Sequence, residues 1–177
     1  MKKYLHYLVI VLLLHPSVSW GQTRDTVNFK HSIQIEGLGL GRYGSLSYRR
    51  MIKPGEVANF YLKGGVSMIR VLNYENKFKP DIIVPIMAEV VLGKKSHHLE
   101  LSAGQVFITY STFSVAKGGE DREKEFSPVL GAAYLYQRPY GRWHHRLIIY
   151  SILDDYELQR KWIGASTAYN FNFKRKK

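Results

Sequence analysis

The sequence predicts an all-β protein: a single eight-stranded antiparallel up-and-down transmembrane β-barrel, preceded by a cleavable signal peptide. Three observations predict this fold class. Apolar and polar residues alternate with a period of two along the chain after residue 22. A basic and then apolar leader opens the chain. Short connections alternate with longer ones, as they do in outer-membrane barrels.

The first 21 residues have the composition of a secretory signal peptide. Lys2 and Lys3 precede an apolar run over residues 4–14, and small residues follow. This apolar core of about eleven residues is shorter than the roughly 20 that a spanning helix needs, so we expect cleavage rather than anchoring. We place the cut after Gly21, with a cut after Ser19 as the alternative.

Eight segments alternate as strands do, and no linker separates them. A strand of about ten residues, rising about 3.3 Å per residue and tilted by about 45°, spans roughly 23 Å, close to the apolar band of about 25 Å. Unpaired backbone groups in hydrocarbon cost several kcal/mol each, so a spanning sheet must close. The predicted strands are residues 31–40, 44–52, 59–72, 81–93, 97–109, 126–137, 143–152 and 161–173, and the predicted domains are 1–21 (signal peptide), 22–173 (barrel) and 174–177 (basic tail).

The connections predict which end of the barrel faces the periplasm. Three short turns contain glycine, at residues 54–55, 93–96 and 139–141, whereas residues 73–80, 110–125 and 153–160 form longer polar connections. Residues 41–43 form a tight connection on the side of the long loops. Both ends of the barrel domain then lie in the periplasm.

Charged residues predict the inner face, because a Lys or Arg that faces lipid at mid-membrane costs about 2 to 4 kcal/mol. We expect a structural charge network in the lumen, with three acidic and three basic side chains. An eight-stranded barrel is just wide enough for side chains to fill, and a neutral network avoids unpaired buried charge. A switchable gate for a narrow pore, formed by Glu100 and Arg146, is the functional alternative. The six residues are Glu36, Arg49, Lys63, Glu89, Glu100 and Arg146.

A soluble barrel of lipocalin type would alternate in the same way, with its apolar face inward. The outward set predicted here is aromatic near strand ends, as interface girdles are, and the inward set is charged. Both features favour the membrane barrel. The aromatic residues are Tyr48, Phe60, Tyr136, Trp143, Phe171 and Phe173.

Composition limits the classes of partner. The chain has no cysteine, which excludes disulfides, thiol catalysis and a lipid-anchored cysteine. Without Lys2 and Lys3, 24 basic residues stand against 14 acidic ones, a formal net charge of +10. Export argues against a nucleic-acid partner. We expect outer-membrane lipid and the phosphates of lipopolysaccharide to be the anionic partners.

Two segments carry a family resemblance. Residues 85–104 (PIMAEVVLGKKSHHLELSAG), and residues 127–137 with the WHHRLI segment at 143–148, resemble hairpins of small outer-membrane β-barrel proteins common in Bacteroidota, of the OmpA/OmpX-like eight-stranded type. The resemblance covers most of residues 30–173. It implies an outer-membrane location and, as for most such proteins, no assigned activity. Leu135 replaces an arginine usual in that family, which makes the lumen more apolar.

The last strand resembles an outer-membrane assembly signal, an aromatic alternation made by Tyr169, Phe171 and Phe173. This resemblance implies the barrel-assembly machinery as a partner during biogenesis. The chain departs from the pattern because the basic residues 174–177 follow the last aromatic residue. We expect a solvated periplasmic tail, with contact to anionic phospholipid headgroups as the alternative.

The sequence predicts no catalytic residue, no metal site and no cofactor. His6 and His15 belong to the leader, and the remaining five histidines map to the periplasmic ends of strands, away from the outer-leaflet lipid that an acyl-modifying enzyme would attack. Adjacent histidines point to opposite faces, which leaves metal sites incomplete. The polar loop 110–125 is the candidate site for a surface ligand.

These observations leave three functional hypotheses open. The first is a structural outer-membrane protein for envelope integrity or surface interaction, not catalytic. The second is a membrane enzyme that modifies lipid A or phospholipid. The third is a soluble periplasmic ligand binder.

Overall fold

The computed structural model describes residues 29–40, 44–72, 77–93, 95–114, 119–153 and 160–173. The predicted signal peptide (1–21) and basic tail (174–177) lie outside these residues. The described chain forms eight β-strands. They are β1 His31–Gly37, β2 Ser45–Lys53, β3 Ala58–Leu72, β4 Phe78–Leu92, β5 His97–Ser114, β6 Gly119–Gln137, β7 Trp143–Ile152 and β8 Arg160–Phe171.

The strands close into a barrel in chain order, and every neighbouring pair is antiparallel. Closure comes from β1 and β8, which pair from His31 opposite Phe171 to Gly37 opposite Ala165. The all-β, eight-stranded, up-and-down fold class is therefore confirmed. We call the end at which β1 begins and β8 ends the lower end, and the opposite end the upper end. No helix among the described residues is long and apolar enough to cross a membrane.

The predicted faces are confirmed by burial. In β7 exposed and buried residues alternate, with Leu147 and Ile149 on the outer wall and Arg146 and Ile148 inside. The same alternation runs through β1 and β2. Because the side-chain period of a strand is two, one correctly placed charge fixes the face of every residue in its strand.

The predicted loop 110–125 is wrong. The strands β5 and β6 continue beyond the wall, and they remain paired up to Ser114 opposite Gly119. The neighbouring strand β4 pairs with β5 only as far as Thr109. The extension is held by cross-strand bonds, in which the Tyr110 and Thr112 hydroxyls donate to the Glu123 carboxylate over 3.0 and 3.1 Å. We call residues 110–114 and 119–125 the upper ribbon.

The connection between β1 and β2 also differs from the prediction. Strand β1 ends at Gly37 rather than at residue 40, so residues 38–40 belong to the connection. The tight turn predicted at residues 41–43 lies outside the described residues. Leu38 has a positive φ of 62°. It turns the chain inward, and Leu40 is buried in the barrel. A Cβ on Gly164 would lie 2.7 Å from the Gly39 Cα, so glycine in β8 leaves room for this turn.

The upper half of the lumen is filled by an apolar cluster. Tyr150 and Val106 have no exposed surface, and the partly buried Tyr110 and Trp162 pack against the cluster. Tight packing of this kind gives each side chain a full set of neighbours. The members of the cluster are Leu40, Ile83, Met87, Val106, Ile108, Val129, Ala133, Ile148, Tyr150 and Ile152.

Candidate functional site

The six predicted lumen charges lie together inside the barrel, below the apolar cluster. Strands β1, β2, β3, β4, β5 and β7 each contribute one of them, and each is at most 3 % exposed. Three carboxylates and three cations give the group a formal charge of zero. We call Glu36, Arg49, Lys63, Glu89, Glu100 and Arg146 the lumen charge cluster.

Arg146 and Glu89 make the largest number of ion pairs in the lumen charge cluster. Arg146 contacts Glu36 and Glu89 over 3.4 Å each, and it also contacts Glu100. Glu89 forms ion pairs with Arg49 at 2.9 Å and with Lys63 at 3.3 Å. Each cation therefore faces at least one carboxylate, which is how buried charges are tolerated.

The Tyr150 hydroxyl links a cation and a carboxylate of the lumen charge cluster. Its hydroxyl accepts from the Lys63 ammonium at 3.0 Å and donates to Glu36 at 2.9 Å. The Gln34 amide also donates to Glu36, at 3.2 Å. Neither Gln34 nor Tyr150 was predicted to belong to the network. The alternation along the strands could have identified both residues. Gln34 lies on the same face of β1 as Glu36, and Tyr150 lies on the same face of β7 as Arg146.

Small residues around the cluster make these contacts fit. A Cβ on Gly131 would lie 2.4 Å from the Ser102 hydroxyl oxygen and 3.0 Å from the Tyr150 ring, so glycine there makes space for the ring. Ser166, opposite Arg146 in β8, accepts from its Nε at 3.0 Å. The Arg49 guanidinium lies 3.7 Å from the centre of the Tyr61 ring, a cation–π contact.

Apolar and uncharged side chains enclose the lumen charge cluster. Met87 and Ile148 lie above it in the apolar cluster, and Val91 and Leu135 are buried near the lower end. His144 and Asn170 are buried at the lower end, where the His144 Nδ1 and the Asn170 Oδ1 are 3.1 Å apart. Buried side chains therefore lie on both sides of the charges along the barrel axis. This arrangement is chemically a packed ionic core.

The five histidines of the described chain lie at the lower end, at the beginnings of β1, β5 and β7. His31 and His97 face outward, and their Nδ1 atoms lie 2.5 Å from the hydroxyls of Tyr48 and Tyr134. His98 and His144 face inward. The described residues contain no group of three or more His, Asp or Glu side chains that could hold a metal ion.

The residues of the predicted assembly signal lie on the outer wall at the lower end. Tyr169 packs edge-on against Trp143, with ring centres 5.1 Å apart, and its hydroxyl accepts from Arg142 at 2.7 Å. Phe171 and Phe173 pack against His31 at 5.6 and 4.7 Å. These contacts form an aromatic belt across the β1–β8 seam that closes the barrel.

The upper ribbon is tied to β4 at its base. The Ser111 backbone N–H donates to the Asp81 carboxylate at 2.9 Å, and the Arg122 guanidinium donates to the Pro80 carbonyl at 2.6 Å. Ser111 is buried, and Asp121 hydrogen-bonds locally to the Arg122 backbone N–H. Asp154 and Asp155, in the predicted polar connection 153–160, lie outside the described residues.

Comparison with known proteins identifies the fold. No family model matches the sequence, and no curated protein matches it. The N-terminal β-barrel domain of Pseudomonas aeruginosa OprF superposes with a TM-score of 0.54 at 12 % identity, covering 85 % of this chain and all of that one. The Yersinia pestis outer-membrane protein Ail, in a phospholipid bilayer nanodisc, superposes with a TM-score of 0.50 at 14 % identity, covering 81 % of this chain and all of that one.

At these identities the two structures establish the architecture. They support the predicted OmpA/OmpX-like barrel type, whereas an origin in Bacteroidota stays a prediction. The chain has the fold of an eight-stranded outer-membrane β-barrel.

Proposed function

We propose that this chain is an integral outer-membrane β-barrel protein with a structural, envelope-integrity or surface-interaction role. It is not catalytic, and its lumen is plugged by the lumen charge cluster. The observation that carries this proposal is the inverted polarity of the barrel. Large apolar side chains cover the outer wall, while six charges are buried inside.

The outer wall is too apolar for a soluble monomer. Ile35, Ile86, Leu147, Ile149 and Ile163 are each more than half exposed, and they lie on four different strands. Contiguous exposed apolar patches on soluble monomers rarely exceed a few hundred Å². A wall of this kind is stable against lipid chains. A soluble carrier would instead place these residues around an internal ligand.

Two aromatic girdles agree with the thickness of a membrane. Phe107 and Phe126 pair on the upper wall, with ring centres 4.8 Å apart, and Tyr136 lies on the lower wall beside His97. In β6 the two girdle residues, Phe126 and Tyr136, are ten positions apart. With the rise and tilt of barrel strands, this separation is roughly 23 Å, close to the apolar band of about 25 Å.

The positions of the histidines and of the upper ribbon support a non-catalytic role. The described histidines lie at the lower end, at the opposite end from the acidic and serine side chains of the upper ribbon. General-base catalysis needs the base within hydrogen-bond reach of the group it deprotonates. Among the described residues, those of the upper ribbon project furthest past the wall, so a surface ligand would contact them first.

Fractionation of the native protein tests this proposal. We expect recovery in the outer-membrane fraction and heat-modifiable migration on gels, because a closed barrel resists unfolding by detergent until it is heated. Recovery as a soluble periplasmic protein would contradict the proposal and support the ligand-binding alternative. A changed lipid A or phospholipid profile in a deletion strain would support the enzyme alternative.

A further inference from the structure

The outer wall carries a concave apolar surface over strands β3 to β6, which we call the wall groove. Ala88 and Ala103 face each other across β4 and β5, and Leu62 and Leu130 flank them in the same row of paired residues. Two small side chains between two large ones leave a hollow. Its volume is about 670 Å³, within the range of small-molecule sites. The other outward-facing lining residues are Ile52, Phe60, Val90 and Leu101.

A cation lies beside the wall groove on the lipid-facing side. Arg49 and Arg50 are adjacent and point to opposite faces, so the burial of Arg49 places Arg50 on the outer wall, directly across from Leu62. Arg50 lies three residues from the lower end of β2. At the usual rise and tilt of barrel strands, this places it about 7 Å above that end. Lys53, at that lower end, is also exposed.

Neither cation is neutralised by a residue that the structure describes. Within the part of the chain that the structure describes, Arg50 and Lys53 form no ion pair. An arginine that faces lipid costs about 2 to 4 kcal/mol at the midplane and less toward the interface. Its long side chain reaches toward the headgroups, where a phosphate provides the matching anion through two parallel N–H···O bonds.

We propose that the wall groove binds one anionic phospholipid, with an acyl chain over Ala88 and Ala103 and the phosphate at Arg50 and Lys53. The inference depends on the proposed membrane location. The lower end then faces the periplasm, so the lipid belongs to the inner leaflet and is a phospholipid rather than lipopolysaccharide. A second copy of the chain fits less well, because a two-fold interface through this surface would bring like charges together.

Native mass spectrometry of the protein, purified from membranes in mild detergent, tests the site. The protein is offered phosphatidylglycerol and phosphatidylcholine of distinct masses in equal amounts. We expect one retained phosphatidylglycerol per chain, preferred about 30-fold over phosphatidylcholine, since two basic residues near a membrane surface contribute about 1 kcal/mol each. Arg50→Gln should reduce the preference about fivefold, and Arg50→Gln with Lys53→Gln should remove it. Ala103→Phe should fill the groove and abolish retention of both lipids.

Matched variants elsewhere on the wall are the controls. Lys161→Gln removes an exposed cation near the upper end, and Ala165→Phe makes the same enlargement on β8. Both should retain phosphatidylglycerol as the unmodified chain does. Equal retention of the two lipids by the unmodified chain, unchanged retention in Ala103→Phe, or a dimer without lipid would overturn the proposal.

Heat-modifiable migration of each variant separates this proposal from the membrane location itself. A chain that inserts as a folded barrel but retains no phospholipid would overturn the wall groove site and leave the proposed function standing. A chain that never enters the outer membrane would overturn the proposed function and this site with it.

Discussion

Replacing Arg146 by methionine probes the lumen charge cluster at the residue that contacts all three carboxylates. The substitution keeps an unbranched side chain in the lumen and leaves three carboxylates against two cations, a formal charge of −1. At an effective dielectric constant of about 20, one charge pair at 3.4 Å is worth about 5 kcal/mol before desolvation.

Most of that attraction is cancelled by the loss of hydration, so the net effect is smaller than the pair energies. Removing one partner from a buried ion pair typically costs about 3 to 5 kcal/mol. We expect a loss of that size in the free energy of unfolding, against a total of about 5 to 15 kcal/mol for a folded domain. Urea titration of the refolded barrel in vesicles, followed by tryptophan fluorescence, measures the loss.

Two further variants separate charge from packing. Arg146→Met with Glu100→Gln restores a neutral cluster and should be more stable than the sum of the two single changes predicts, by about 0.5 to 3 kcal/mol. Arg138→Met makes the same change at an exposed turn position and should change the stability by less than about 0.5 kcal/mol. A single Arg146→Met variant as stable as the unmodified chain would refute the reasoning.

Three other changes have expected outcomes that depend on different parts of the structure. Gly164→Ala places a Cβ 2.7 Å from the Gly39 backbone and should lower the urea midpoint by the equivalent of about 1 to 3 kcal/mol, whereas Gly64→Ala, with nothing within 4 Å, should not. A lowered midpoint in both variants would contradict this account of the turn. Ile149→Lys, near mid-wall, should reduce stability in vesicles by about 2 to 4 kcal/mol, while Val57→Lys, in the turn before β3, should have little effect. Equal losses at the two positions would argue against a lipid-facing wall. Asp81→Ala removes the acceptor for the Ser111 N–H and should speed tryptic cleavage of the upper ribbon, with Asp121→Ala as the local control. Unchanged cleavage would show that the ribbon is held by other contacts.

The strand faces were predictable because a charged side chain that faces lipid is costly, which favours the inner face for charged residues. One charge such as Glu100 fixes the parity of its strand, and the structure agrees along β5, with Leu99 and Leu101 outside and Ser102 inside. The six lumen charges followed from the same rule. Arg50 was not predicted, because the rule places every charge inside and two adjacent arginines cannot both obey it.

The partners within the lumen charge cluster could not be predicted from parity. Which charges meet depends on the stagger of the strands, which places Arg146, Ser166 and Glu36 in one row across β7, β8 and β1. The role of Tyr150 depends on the space left by Gly131, its partner in β6, and on Lys63 and Glu36, which only the closed barrel brings near its hydroxyl.

The predicted end of β1, the end of β5 and the start of β6 were wrong for local reasons. The upper ribbon is polar and highly charged, so its residues lack the apolar alternation that identifies a strand in sequence. Its pairing depends on specific bonds such as Tyr110 to Glu123. At the end of β1, Leu38 adopts a conformation that is unusual for a residue with a side chain, and the close approach of Gly39 to Gly164 accompanies it.

The central claim is that lipid covers the outer wall while side chains fill the lumen, and single-cysteine spin labelling tests it most directly. The chain contains no cysteine of its own, so Leu147→Cys, Ile148→Cys and Ile149→Cys can each be labelled at one site. Power saturation in vesicles compares collision with apolar oxygen and with a water-soluble nickel complex. We expect labels at 147 and 149 to collide with oxygen and not with nickel, and a label at 148 to be shielded from both. Nickel access at 147 and 149 would contradict the account.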